Sequence, residues 1–244
     1  YIYPLVTNEI LRGSIDSIGA QVSGEGYVPL GGGDFSAIID EIKNKMPDTI
    51  VLTLVGLDSN KEFLRQFFEA GLSHQYITVL SLVLSENDLC EIPIEHSQGI
   101  YSLFSYFQNC DNAVNDDFVR QYQARYGHDQ RIGGYMESAY VGVQLWAQAV
   151  QNCQSFEPQK VIEAMKGISH YGPGGIAYMD ETNQHVWRYV RIAKVGLDGE
   201  YHVIWNSDKP IAPEPFPPTR TPEEWSLFLH NLQQRWGGQW EKQN

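Results

Sequence analysis

The side chains that carry covalent or metal chemistry are present in this chain, but not in a working arrangement. Its seven histidines stand apart, with no two at i, i+4 and none beside a motif glutamate, so they outline no metal site. His170 and His185 flank a turn-rich stretch and read as surface or hinge residues. No serine lies in a G-x-S-x-G or S-x-x-K setting. Cys90, Cys110 and Cys153 form no C-x-x-C pair and have no recognisable Cys–His context; they leave open one bridge plus a free thiol, or three free thiols. The run Gly31–Gly33 lacks both the G-K-[ST] of a phosphate loop and the G-x-G-x-x-G spacing of a dinucleotide site, and Asp34 behind it would repel phosphate. It reads as a plain turn. Carboxylates are plentiful, but no catalytic pair stands out. The chain is therefore expected to hold no catalytic residue, metal ligand or cofactor. What remains is binding chemistry: hydroxyl, amide and backbone groups in the loop from Thr53 to Asn60.

The elements around that loop explain why it matters. Phe35, Ile38, Ile39, Ile42 and Met46 share one face of a helix opened by Asp34, and Pro47-Asp48 breaks it. Thr49–Val55 is a near-continuous apolar run, the pattern of a parallel strand covered on both faces, and Gly56 ends it. Ser59 and Glu62 have capping-box spacing ahead of a helix that turns Phe63, Leu64, Phe67 and Phe68 inward. In open α/β sheets ligands collect at strand carboxyl ends, where helix amino termini offer free N–H groups.

Strands are expected at Val22–Pro29, Ile77–Leu84 and Gly99–Phe104, and helices at Thr7–Ile18, Asn112–Tyr126, Tyr135–Asn152 and Pro158–Met165. Ser85 with Asp88 caps a short helix after the second of these strands. In the long helix Met136, Ala139, Tyr140, Val143, Ala147 and Val150 share a face. From Gly172 the texture changes to strands and turns: Ile176–Met179, Trp187–Val195 and Tyr201–Trp205, the last two joined at Asp198-Gly199. Pro210–Pro218 is an extended strap. Thr221-Pro-Glu-Glu224 then starts a final helix ending near Trp236. The tryptophans there, Trp225, Trp236 and Trp240, read as a docking helix rather than a sugar-stacking platform.

The alternation of strands and helices implies an α/β fold with a largely parallel sheet. The chain has 244 residues, 42% hydrophobic, and a formal charge of −13. That acidity argues against nucleic acid or an anionic membrane surface as partner. The longest apolar stretch, Ile77–Leu84, is too short to span a bilayer. Tyr1–Pro4 precedes a helix with no strand ahead of it, as if a βα unit had been cut through.

In its motifs the chain resembles type I periplasmic binding proteins, in the branch of urea importers and the amide sensor of the amidase operon. The carriers are Tyr1-Ile-Tyr-Pro-Leu-Val-Thr-Asn8, Val28-Pro-Leu-Gly31 with Asp34-Phe-Ser36, Pro47-Asp48, Asp58-Ser-Asn60 and Tyr106-Phe107. Further along are Met136-Glu-Ser-Ala-Tyr140, Leu145-Trp-Ala-Gln-Ala149, Asn183-Gln-His185 and Pro213–Arg220 leading to Trp225. The resemblance implies two α/β lobes with a ligand between them, of which this chain carries lobe two and an incomplete part of lobe one. Residues 1–134 are then lobe two without its first strand, 135–186 a segment of lobe one, and 187–244 the return to lobe two. Met136, Tyr140 and Trp146 are expected to face a partner surface.

The same resemblance implies Tyr3 as a ligand contact with Tyr1 as fallback, Thr53 at the central strand end, and Ser81, with Ser85 second, at the next. Leu57 reads as an extra residue in the loop relative to the urea-binding pattern. Hydroxyls suit a small neutral ligand such as urea or a short amide. An amino-acid ligand would instead use a carboxylate, Glu86 or Asp58. The function implied is the periplasmic or extracellular solute-binding component of an ABC importer, with a membrane permease as partner. The alternatives are an amide-responsive sensor domain, a branched-chain amino acid binder, or an enzyme on a doubly wound fold.

Overall fold

The computed structural model describes residues 1–240, and the polar tail after Trp240 lies outside them. The chain divides into two compact units: Tyr1–Val28 with the segment from Glu214 onward, and Pro29–Pro213.

The first unit opens with α1 (Ile2–Ser17), which starts earlier than its sequence pattern suggests and takes in Tyr3 and Pro4. Proline is tolerated there because first-turn N–H groups have no helical partner anyway. The expected strand Val22–Pro29 is irregular. Among the described residues no strand pairs with it, and a lone strand leaves its backbone groups unpaired. Side chains hold it instead: Asn8 Nδ2 donates to Glu25 Oε1 at 3.0 Å and to Tyr27 Oη at 3.2 Å, and Arg12 pairs with Glu25.

The second unit runs through α2 (Ser36–Lys45), β1 (Thr49–Leu52), α3 (Leu57–Glu69), β2 (Thr78–Ser81), α4 (Glu86–Leu89), α5 (Ile94–Ser97) and β3 (Tyr101–Phe104). There follow α6 (Ala113–Tyr126), α7 (Gly134–Cys153), α8 (Pro158–Met165), β4 (Ser169–Gly172), β5 (Gly175–Met179), β6 (Val186–Trp187), β7 (Arg191–Val195) and β8 (Tyr201–Asn206). One sheet has the order β1-β2-β3-β7-β8. Its first three strands are parallel, in register from Thr49↔Thr78 to Leu52↔Ser81 and at Leu80↔Tyr101. β7 and β8 add antiparallel, with a bulge between Ile192 and Ala193. The second sheet, β4-β5-β6, is antiparallel.

The core follows the apolar spacing of the sequence. Phe35, Ile39, Phe63, Leu64 and Phe67 are buried, and Phe35 meets Phe63 edge-on at 5.5 Å between ring centres. Met46, expected on that face, is exposed, because it takes a left-handed conformation that ends α2. Asp34 does not cap α2 directly; its Oδ1 receives the N–H of Ser36, and Phe35 is the cap residue. The long run expected as one strand, Trp187–Val195, is two. Val186–Trp187 belongs to the small sheet, Arg191–Val195 to the large one, and Arg188 between them bridges to Ile211 of the proline strap.

On α7 the buried stripe is Glu137, Val141, Leu145 and Ala149. Val141 and Leu145 pack with Ala177 and Met179 of the small sheet. The stripe read from the sequence is the more open one: Val143 is 60% exposed and Tyr140 40%. Met136 packs on Tyr106, Cys110 and Ile132, and Tyr140 leans on Phe118. All three cysteines are free thiols.

The chain returns to the first unit through the proline strap and α9 (Pro222–Arg235), which has the full capping box of Thr221 and Glu224. Trp225 is buried, its Nε1 donates to Pro217 O at 2.8 Å, and the Arg220 guanidinium lies 5.0 Å from the centre of its ring. Among the described residues, no helix is long and apolar enough to cross a membrane.

Candidate functional site

β1 ends at Leu52, whose carbonyl receives the N–H of Leu82 at 3.0 Å. The chain then leaves the sheet through Thr53, Leu54 and Val55 to Gly56, which holds φ 102° and ψ 130°. That conformation favours glycine, and it carries the backbone straight into α3. α3 begins at Leu57, not after the Ser59–Glu62 pair. The expected capping box therefore does not form. Ser59 lies inside the helix and donates to Gly32 O at 3.0 Å, while Glu62 is held by Arg65 and Gln66, which keep its carboxyl near a pKa of about 2. The residue that read as an insertion, Leu57, is the first of the helix.

Asn60 shapes this loop. It is 1% exposed, and its Nδ2 donates to Leu54 O at 2.7 Å and Gly56 O at 2.9 Å. The sequence marks it only as part of Asp58-Ser-Asn60, so its part in holding the loop was missed. Thr53 is half-buried, and Val55, Gly56 and Asp58 are exposed. The cap residue of α3 is Gly56, which has no side chain to bond the first N–H groups of the helix. The solvent-open part of the loop is thus the backbone and apolar side chain at Val55 and Gly56, next to the first turn of α3.

The next strand end is different. Ser81 is fully buried, and its oxygen receives the N–H of Val83 at 3.2 Å and of Leu84 at 2.9 Å. The turn is tied further by Ser102 and Tyr201, whose hydroxyls donate to Leu84 O at 2.8 and 3.0 Å. Ser85 caps α4 as expected from the sequence, with Asp88 Oδ2 receiving both its N–H and its hydroxyl. Neither serine faces an opening, because a buried hydroxyl is stable only when the backbone around it is satisfied.

Tyr3 and Tyr1 belong to the other compact unit. Tyr3 sits in the first turn of α1, its ring stacked on Tyr1 at 6.2 Å. Burial raises the pKa of its phenol, against the pull of a hydrogen bond with Thr7. The amino-acid alternative named Glu86 and Asp58. Glu86 is 4% exposed and turned into the body of the unit, whereas Asp58 lies on the exposed first turn of α3. Among the described residues, no three His, Cys, Asp or Glu side chains converge as a metal site.

A family model described as periplasmic binding protein domain matches residues 1–222. The chain is 23% identical over 180 residues to Leu/Ile/Val-binding protein homolog 6 of Brucella suis biovar 1, covering 72% of this chain and 46% of that one. It shares 33% identity over 121 residues with a Geobacillus stearothermophilus protein named limonene hydroxylase, covering 50% of this chain and 22% of that one. A solute binding protein of an ABC transporter from Rhodopseudomonas palustris BisB5, solved with 3,4-dihydroxybenzoic acid, superposes with a TM-score of 0.71 at 25% identity. That match covers 81% of this chain and 55% of the other. The chain thus spans about half the length of the solute-binding relatives it matches.

Proposed function

This chain belongs to the periplasmic binding protein domain family, and from that premise we propose that it acts as the extracytoplasmic solute-binding component of an ABC importer. Its partner is then a membrane permease, and it binds its solute without chemical change. The family's expected compartment is the periplasm. A ligand that favours the closed arrangement of two lobes shifts the population the permease recognises. The boundaries that go with this reading are lobe two over 1–134 and 187–244, and a segment of lobe one over 135–186. The observation that carries the reading is the Thr53–Asn60 loop, pre-formed by the amide of Asn60 at a parallel strand end.

The ligand in this reading is a small solute with a planar carbonyl or carboxyl head. Urea or a short amide fits Thr53 and the loop carbonyls, with Tyr3 or Tyr1 as contacts in their own unit. Ser81 and Ser85 would join only if their turn opened. A second reading, a branched-chain amino acid or an aromatic acid, is favoured by the amino terminus of α3, whose cap residue is a glycine, and by the ligands in the relatives' names. A helix amino terminus attracts a carboxylate.

Titration of the isotope-labelled chain with urea, acetamide, leucine and 3,4-dihydroxybenzoate, followed by amide chemical shifts, separates these readings. Shifts confined to residues 53–60 with the neutral ligands support the amide reading, and shifts there only with the two carboxylates support the second. If no ligand moves that loop, the proposed site is wrong.

A further inference from the structure

Glu86 opens α4, yet only 4% of it is exposed. Its Oε1 receives the N–H of Gln108 at 2.7 Å, and its Oε2 is buried with no partner among the described residues. A buried carboxylate with one oxygen unsatisfied is costly to keep ionised. The residue lines a cavity of about 210 Å³ whose wall also includes Cys90, Arg131, Asp198 and Glu200.

The charges that face Glu86 are mostly acidic. Asp88 lies on its own helix, and Glu200 comes from the β7–β8 hairpin, where it is paired with Arg131. Asp198 of the same hairpin is engaged by His202. The phenols of Tyr106 and Tyr201 and the thiol of Cys110 each have their pKa raised by burial and, less, by the charge of Glu86. Arg191 and Glu137 also act on that thiol. Burial first, then Glu200 and Asp88, push the Glu86 carboxyl up to about 7, against the pull of the Gln108 N–H.

The neighbours of this carboxyl also hold the passage by which the chain runs from α6 into α7. Gln108 Oε1 receives the N–H of Ile132 at 2.7 Å, and Asn87 Nδ2 donates to Arg131 O at 2.7 Å. Gly133 packs so tightly on α4 that a Cβ would lie 2.6 Å from Ser85 Oγ. We propose that Glu86 and the cavity beside it form a proton-operated seat for the passage Arg131–Gly133. Protonated, the seat is closed; deprotonated, it draws water into the cavity and loosens Gln108 and Ile132.

The sign follows from where the proton sits. In the unfolded chain the carboxyl titrates near its ordinary 4.5, so between that value and about 7 the folded chain keeps a proton the unfolded chain has lost. The stabilisation is full below the lower value and is lost as pH rises through the upper one.

The test combines ¹³C NMR titration of the glutamate carboxyls with hydrogen exchange. The expected Glu86 midpoint lies near 7. After correction for intrinsic rates, the Gln108 and Ile132 amides should exchange roughly tenfold faster at about pH 8.5 than at about pH 5.5, while β1 and β2 amides hold. Glu86→Gln should abolish that difference. A Glu86 midpoint below about pH 5.5, or uniform exchange across the unit at both pH values, overturns the proposal. Both readings are made on the unaltered chain, so they decide the matter even if the variant does not fold.

Discussion

Arg188→Met should be among the most damaging single changes in this chain. Glu137 is fully buried, and its two carboxylate oxygens receive Arg188 Nη2 at 2.8 and 2.6 Å. A third hydrogen bond comes from the N–H of Gly174, which reaches Oε1 at 3.1 Å. That approach needs glycine, since a Cβ on Gly174 would lie 2.8 Å from the carboxylate oxygen. Removing Arg188 leaves a buried charge with one backbone donor, a loss of about 3–5 kcal/mol. In a chain of this size that corresponds to a fall in Tm of roughly 6–20 °C. The double variant Glu137→Leu with Arg188→Met removes both charges and should recover most of the loss, because the cost lies in the orphaned carboxylate rather than in the missing pair. Calorimetry on wild type, both single variants and the double variant gives the full cycle, read on the transition of the Pro29–Pro213 unit. If Arg188→Met melts within about 1 kcal/mol of wild type, or the double variant is as weak as the single, the burial argument fails.

Other changes probe the site and the scaffold. Thr53→Val should weaken binding of whichever ligand moves the 53–60 loop by about 1 kcal/mol, the net value of a hydrogen bond, and an unchanged titration removes Thr53 from the site. Asn60→Leu, which takes away both loop-fixing bonds, should speed exchange of the Leu54–Gly56 amides, and unaltered protection there would show that the loop holds itself. Thr221→Ala should cost about 0.5–2 kcal/mol in chemical unfolding through loss of the α9 capping box. Phe67→Ala, at a fully buried ring, should cost about 3–5 kcal/mol by the same assay.

The parts of the fold that were legible in the sequence are those where local chemistry and tertiary packing agree. Thr221-Pro-Glu-Glu224 names its own helix start, and the structure shows the reciprocal bonds. Asn112 and Gly127 bound α6 as their types suggest, the first by accepting the N–H of Asn115. The misreadings have tertiary causes. Val22–Pro29 has strand chemistry, but among the described residues no strand pairs with it. In α7 two stripes are apolar enough to be inward, and the one that is buried contains a glutamate, which disguised it. That glutamate is tolerated only because Arg188, distant in sequence, meets it. Ser59 and Glu62 have capping-box spacing, but the backbone of Gly56 starts the helix before they can act.

The two strand ends at the candidate site each carry a hydroxyl residue, Thr53 and Ser81, and their turns are held differently. Ser81 lies on the central side of β1, with β3 beyond it, so its turn is surrounded. Two backbone N–H groups bond its oxygen, while Ser102 and Tyr201 bond the carbonyl of Leu84. A ligand entering there would have to replace several buried hydrogen bonds, each costing about 1–3 kcal/mol if left unmade. Thr53 follows β1, which among the described residues pairs with β2 alone. The carbonyls of Leu54 and Gly56 there are held mainly by one amide, that of Asn60, and the backbone at Val55 and Gly56 is open to solvent. The Ser81 hydroxyl is bound into its own turn, whereas Val55 and Gly56 after Thr53 are open to solvent, so ligand-induced shifts are to be sought in the 53–60 loop rather than in the 81–85 turn.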